Sequence, residues 1–539
     1  MRRKLLRRTI FRESFMSLNL RHAWAGLAWA VTGLTGFTAH AADLPQLNID
    51  LQQTTVSGIS SGAFMAVQMA VAKSASVRGV AVTAGGPYNC ALDAANGYLV
   101  VAGAGSMTSI ARCMQGDPSL PAQPITDDQL AQMVSTTTAW AQKGKIDPVS
   151  NLANQAVWVF HGYNDGIVKL PVSQALLQWY GNFAPTTQIF AKDTLNAAHA
   201  QISAACGDTR AASCNLCPTV GNQFINTCTD QPQPSAPVVY DAAGSALQMF
   251  YGPLKRTATS QLSATAQEFS QRPYLKWHSG LSVAMSSQIA MGDTGYVYVP
   301  QACKDGQSCR LHIAFHGCMQ SATSIKRAFV DGAGVNEWAD ANRMVVLYPQ
   351  ATPTNMPVVN PMGCWDWWGY NDIPQIATFM IPNPVGTFAT SEGVQIAAVW
   401  RMAEHLAAKG KPGTWATPVT PVPQLQALDQ SDDQVLLRWQ PVSAASGYRI
   451  YRSSGSDAPQ AVGGVVTQAF WADSGLQAQH SYRYTVRAVV NGQESPDSNA
   501  VTVSTARLAP TLAQCNPYFS LALNKPVTAQ GVPTTNVCP

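Results

Sequence analysis

The sequence predicts an α/β domain on a mainly parallel sheet, followed by an all-β sandwich. Three observations lead there. Leu47, Ile49 and Leu51 alternate with polar residues up to Thr55, as a strand does; Gly58-Ile59-Ser60-Ser61-Gly62 follows, and then Phe64, Val67, Met69 and Val71 in an Ala- and Met-rich run that suits a buried helix. Further short apolar runs end in Gly- or Pro-bearing loops, the pattern of buried strands in an α/β sheet. After a Pro/Thr-rich stretch, the pattern changes to alternating strands separated by turns.

The N-terminus reads as an export leader, residues 1–41. Met1 to Arg21 is basic, Ala23 to Phe37 is apolar, and Ala39-His40-Ala41 is a small-x-small cleavage site. The mature chain is expected to begin at Ala42, with Met16 as an alternative start. The apolar run is shorter than the roughly 20 residues a membrane helix needs, and no later run is long enough, so stable membrane insertion is not expected. The chain of 539 residues is too long for one ordinary domain. Charged residues make up 12%, about half the usual share. The net charge of +4 is owed largely to the basic leader, so the mature protein is nearly neutral and lacks the basic patch of a nucleic-acid binder. Such a surface suits an uncharged, water-poor substrate. The 12 cysteines all follow the leader, and an even count in an exported chain reads as disulfides. Cys206, Cys214, Cys217 and Cys228 suggest two local bridges rather than zinc. Cys303 and Cys309 suggest a stapled hairpin. No metal and no cofactor is expected.

Gly58-x-Ser60-x-Gly62 between strand and helix is the pattern of a nucleophile elbow, in which the serine hydroxyl is exposed on a strained turn. Its glycines are needed because side chains there would collide. Val77 to Gly86 is the next strand, ending in glycines, and a helix is expected near Asp127 to Lys143. Ala156–Phe160 is a buried strand that runs into His161-Gly162-Tyr163-Asn164-Asp165-Gly166. Acids on loops at strand C-termini are placed for chemistry, and Asp165 is the candidate acid of a catalytic triad; a turn role in Asn-Asp-Gly is the competing reading. Triads of this class run serine, acid, histidine. His161 precedes the acid, His312 lies within a strand and His480 in the later module. His199, His278, His316 and His405 remain. His199, among Ala197, Ala198 and Ala200, has room for its ring and fits best.

Leu311–Phe315 is another central strand, ending in His316-Gly317-Cys318-Met319-Gln320, a motif that supplies the second oxyanion donor in esterases and lipases. In ordinary α/β-hydrolases that strand precedes the elbow; here it follows by about 250 residues. The fold is therefore expected to be a circularly permuted α/β-hydrolase. Met344–Pro349 is the partner strand, and Ser391 to Ala408 the closing helix. Gly363-Cys364-Trp365-Asp366-Trp367-Trp368-Gly369-Tyr370 reads either as a wall for a hydrophobic chain or as core filling. Residues 42–410 form the first domain, 411–423 a semi-rigid Pro/Thr linker and 424–506 the sandwich. The sandwich resembles a fibronectin type III domain, with Trp439 on an early strand, Tyr482 at the tyrosine corner and Ser498–Val503 as the last strand; a spacer or weak binder is its default role. Residues 507–539 form a tail tied by Cys515 and Cys538.

Together, the early elbow, Gly162-Tyr163-Asn164-Asp165, His199, His316–Gln320 and Gly363–Tyr370 make residues 42 to about 410 resemble the secreted poly(3-hydroxybutyrate) depolymerases with the serine box near the mature N-terminus. The resemblance implies Ser60 as nucleophile, Asp165 as acid and His199 as base. It implies the Ser61 and Cys318 amides as oxyanion donors, and Trp365, Trp367, Trp368 and Tyr370 as the substrate wall. It also implies a secreted esterase, expected to act as a monomer, that cuts hydrophobic polyester. The tail is shorter than the polymer-adsorbing domain of that family. Two other readings stand beside it: an esterase for feruloyl or acetyl groups on polysaccharide, and an exported binding protein with an inactive hydrolase domain.

Overall fold

The computed structural model describes residues 42–91, 109–115, 125–207, 214–221, 223–230, 237–277, 280–283, 285–356, 358–372, 386–413, 415, 420–509, 518–520 and 525–527. The expected leader, His278 and the expected Cys515–Cys538 pairing lie outside the described residues. Eight strands form the central sheet: β1 (Ile49–Ile59), β2 (Val77–Thr83), β3 (Ala156–Phe160), β4 (Ile189–Lys192), β5 (Gln267–Ser270), β6 (Thr294–Tyr298), β7 (Cys309–Phe315) and β8 (Met344–Tyr348). Their spatial order is β5-β6-β8-β7-β1-β2-β3-β4. The six strands from β8 to β4 are parallel, while β5 and β6 add an antiparallel edge. The late strand β7 thus lies directly against β1, with Gly58 opposite Phe315. This is the expected permuted α/β-hydrolase arrangement. β4, β5 and β6 carry too short a pattern to be read from sequence.

Helix α1 (Ser61–Ala72) is buried along its whole length, because β1, β2, β7 and the C-terminal helix α3 (Val394–Leu406) enclose it. Helix α2 (Asp127–Gln142) opens with a capping box formed by Thr126 and Gln129. α3 starts later than Ser391: Ser391 instead ties its amide to the Lys145 carbonyl and its hydroxyl to the Ala72 carbonyl, so the helix begins after Gly393. Among the described residues, five disulfides join Cys90–Cys113, Cys206–Cys214, Cys217–Cys228, Cys303–Cys309 and Cys318–Cys364. The Cys206–Cys228 cluster is two local bridges, as expected. Cys303–Cys309 does not staple a hairpin. It ties a helical turn, Gln301–Lys304, to the first residue of β7.

Residues 425–504 form two facing sheets. One holds strands 425–430, 434–439 and 470–474; the other holds 445–454, 460–466, 481–490, 493–494 and 501–504. Trp439 is buried between them against Tyr448, and the Tyr482 hydroxyl accepts the Gln477 amide, the tyrosine-corner bond of a fibronectin type III-like sandwich.

This module is not a free spacer. Leu436, Phe470 and Ala472 share one apolar cluster with Ala246, Met249 and Phe250 of the α/β part. Arg438 is buried and donates to the Met249 carbonyl. The edge strand β4 is capped by Gln434, whose side-chain oxygen accepts the Ala191 amide at 2.9 Å. Lys192, 0% exposed, sends its ammonium to Asp230 at 2.7 Å, to the Gln430 carbonyl at 2.6 Å and towards Asp429 at 3.5 Å. The expected linker is also tied down where it is described: Asp50 accepts the Gly413 amide and the Trp415 indole N–H. The ammonium pairs with Asp230 of the α/β part, and docking of the module adds the Gln430 carbonyl and Asp429, so docking completes the partners of the buried charge. Lys192→Met should cost about 3–5 kcal/mol by removing the cation that Asp230 and Asp429 share in the interior. Urea unfolding followed by tryptophan fluorescence reads the loss; a loss below about 1 kcal/mol would mean that the pair contributes no more than an exposed one.

Candidate active site

Ser60 sits at the end of β1 with φ 55° and ψ −125°, a strained conformation for a residue with a Cβ. The neighbouring glycines make the turn possible. A Cβ on Gly58 would lie 2.1 Å from the Gly62 carbonyl oxygen, and one on Gly62 would lie 2.3 Å from the His316 carbonyl oxygen. The Ser60 amide donates to the Thr83 carbonyl, which fixes the turn to β2. Its hydroxyl makes no hydrogen bond to a described residue, and such bonds often form only once substrate is present.

Asp165 lies beyond β3. Its Oδ2 accepts His199 Nδ1–H at 2.8 Å, and its Oδ1 accepts the amides of Ile167 at 2.8 Å and Val168 at 3.0 Å. Burial pushes its carboxyl up, but the charge and hydrogen bond of His199, together with His161 and the Ile167 amide, outweigh burial and hold it below the usual carboxylate range. The loops of Asp165 and His199 touch through backbone: a Cβ on Gly162 would lie 2.1 Å from the Ala197 carbonyl oxygen. Asp165 is thus more than a turn residue. Ser60 and His199 line one cavity of about 450 Å³.

His316, His312 and His405 are engaged elsewhere. His316 is buried, with Nδ1–H donating to the Gly317 carbonyl and Nε2 accepting the Ala351 amide; burial pushes it down to about 4. His312 bridges the hydroxyls of Thr55 and Ser57, and burial pushes it down to about 3. His405, on α3, donates to the Leu44 carbonyl at 2.9 Å.

Pairing of β7 with β1 sets the His316–Gln320 loop beside the elbow. The Gln320 side chain holds that loop, accepting the Gly317 amide at 2.7 Å and donating to the Phe224 carbonyl at 3.0 Å. The amides of Ser61 and Cys318 donate to no described residue. Cys318 borders the cavity, and its disulfide to Cys364 ties it to the aromatic stretch.

That stretch divides into two faces. Trp367 and Trp368 line the cavity, Trp367 stacked on Phe64 with centroids 4.1 Å apart. Trp365 and Tyr370 do not line it, contrary to the expectation of a four-residue wall. Trp365 is 0% exposed against Phe315 and His316, its amide donating to the Ser61 hydroxyl at 3.3 Å. Tyr370 donates to the Cys364 carbonyl at 2.7 Å from behind the wall. The reason is the turn between them: Asp366 accepts the amides of Gly369, Tyr370 and Asn371, which reverses the chain. Burial, then the charge of Asp372, push the Asp366 carboxyl up to about 7. The sequence signal, Asp-x-x-Gly, is an ordinary turn motif and was open to that reading. The remaining apolar lining, including Met114, Phe224, Val359 and Met362, has no sequence signature. Among the described residues no group of three or more His, Cys, Asp or Glu side chains is arranged to hold a metal.

No family model matches the chain. A poly(3-hydroxybutyrate) depolymerase from Delftia acidovorans is 35% identical over 494 residues, 90% of this chain and 85% of that protein. A polyhydroxybutyrate depolymerase from Talaromyces funiculosus is 34% identical over 355 residues, 64% of this chain and 90% of that protein. The crystal structure of a PHB depolymerase from Penicillium funiculosum superposes with a TM-score of 0.53 at 30% identity, covering 69% of this chain and all of that one. A PHB depolymerase with a serine replaced by alanine, complexed with an R3HB trimer, gives 0.52 at the same identity and coverage. On a match that spans nearly the whole of both proteins, the chain belongs to the poly(3-hydroxybutyrate) depolymerase family.

Proposed function

We propose that this protein is a serine esterase that cuts poly(3-hydroxybutyrate)-type polyester into short 3-hydroxyacid products through an acyl-enzyme. The observation that carries this reading is the 2.8 Å Asp165–His199 hydrogen bond beside the cavity that also holds Ser60. His199 Nε2 takes the Ser60 proton as Oγ attacks the ester carbonyl; Asp165 keeps the tautomer with Nδ1–H and stabilises the imidazolium. The Ser61 and Cys318 amides receive the oxyanion. His199 then returns the proton to the departing hydroxyl end, and water repeats the cycle on the acyl-enzyme. Relatives that are all polyester depolymerases favour this substrate over polysaccharide esters.

Residues 42–410 carry the chemistry, and 424–506 are a docked module. Residues 1–41 are an export leader and the enzyme works outside the cell as a monomer. Five disulfides support an oxidising compartment, and no helix among the described residues is long and apolar enough to cross a membrane. Contact with a solid polymer is supported at the cavity mouth, where Val359 is 66% exposed and Met356, on the same loop, 68% exposed, in a stretch from 351 to 365 without a charged residue.

Ser60→Ala should leave the fold intact and lower kcat by at least ~10³-fold; activity within tenfold of wild type on a soluble hydroxybutyrate oligomer would remove Ser60 from the role. Trp368→Ala should reduce turnover of polyester film more than turnover of a short p-nitrophenyl ester, and equal losses on both would count against a substrate wall. Replacing Cys318 and Cys364 together by Ser should lower kcat on the soluble ester about 10- to 100-fold with KM little changed, because the Cys318 amide loses its tether. An unchanged kcat would show that the disulfide is not what places this amide.

A further inference from the structure

His161 is buried next to the proposed triad, and none of the steps above uses it. It follows β3 directly and is 2% exposed. Its Nε2 lies 2.8 Å from the Val168 carbonyl oxygen. A carbonyl only accepts, so Nε2 carries the hydrogen. Nδ1 is buried and has no partner among the described residues. Burial lowers its pKa, and His199 and Lys169 also oppose a positive charge; Asp165 and the Val168 carbonyl act the other way without prevailing. The ring is therefore a neutral, single-donor imidazole.

The loop it ties is the acid loop. Val168 is the residue whose amide Asp165 Oδ1 accepts, and Ile167 supplies the other amide on that oxygen. Val168 and Ile167 also line the cavity. The peptide units flanking Val168 are thus gripped from two sides: its N–H by the acid, its C=O by His161. The backbone of His161 is anchored in turn, its amide donating to the Lys192 carbonyl at 2.9 Å. A leucine of similar size would fill this space without stranding a ring nitrogen, so packing alone does not account for the imidazole. The Nε2–H bond does.

We propose that His161 is a positioning residue for the reaction: its Nε2–H, bound to the Val168 carbonyl, fixes the loop that aims Asp165 at His199. The proposal rests on the triad reading given under Proposed function. Loss of the bond lets the acid loop shift, and misplacement of about 1 Å at such a site costs about 100-fold in rate.

The test compares His161→Leu, His161→Asn and His161→Gln in the full chain on a soluble hydroxybutyrate oligomer, with near-UV circular dichroism as the check on folding. Gln reaches Val168 with an N–H; Asn is too short, and Leu has no donor. The expected result is a kcat about 10- to 100-fold lower in Leu and Asn with KM within twofold, and recovery to within about threefold in Gln. A folded Leu or Asn variant with kcat within threefold of wild type overturns the proposal. So does a Gln variant as impaired as Asn, and this pair decides the matter if Leu does not fold. Ser60→Ala measured alongside separates the two levels: if it remains active the triad reading has failed, whereas if it is inactive and the His161 variants are not impaired only the positioning role has failed.

Discussion

The structure depends on the parallel pairing of two strands that are far apart in the chain. Gly58 at the end of β1 faces Phe315 at the end of β7, so the turn that carries Ser60 and the turn that carries Cys318 leave the sheet side by side. The approach is so close that Gly62 has no space for a Cβ beside the carbonyl oxygens of Phe315 and His316. Two backbone amides can converge on one point only if both turns are that near, and glycine is the residue that permits it. Gln320, the Cys318–Cys364 bridge and the Trp365 amide on Ser61 then hold the turns in place.

The same sheet explains why the sandwich is docked. Strand β4 ends the sheet, and an open edge exposes unpaired backbone groups. Gln434 meets one of them, and Lys192 brings its ammonium into a site walled by Asp230, Asp429 and the Gln430 carbonyl. Lys192 is also where the chain leaves β4 for the loop that carries His199. The module therefore borders the loop of His199, while the cavity opens elsewhere, among residues of the α/β part alone.

The cavity suits its proposed task by contrast. Its lining is almost wholly apolar, yet the polar groups that shape it are concentrated immediately behind the surface. Asp366 folds the aromatic stretch so that Trp367 and Trp368 face inward and Trp365 and Tyr370 face the core. A hydrophobic polyester offers ester carbonyls as its polar groups, and a dry wall strengthens the few hydrogen bonds that reach them.

Much of this was legible in the residues. The elbow glycines, the buried strands β1, β2, β3, β7 and β8, the late arrival of β7 and the tyrosine corner are local patterns, and each reports its own backbone geometry. The sequence by itself determined where the tight turns and buried strands fall, because steric exclusion and hydrophobic periodicity act over a few residues. Only the tertiary structure decided that His199 and not His405 meets Asp165, that His316 spends both ring nitrogens on backbone, that Trp365 turns inward while Trp368 does not, and that the second module is held by a buried lysine. Each of these depends on which groups meet across tens to hundreds of residues, and that is set by how the whole core closes and not by any one segment.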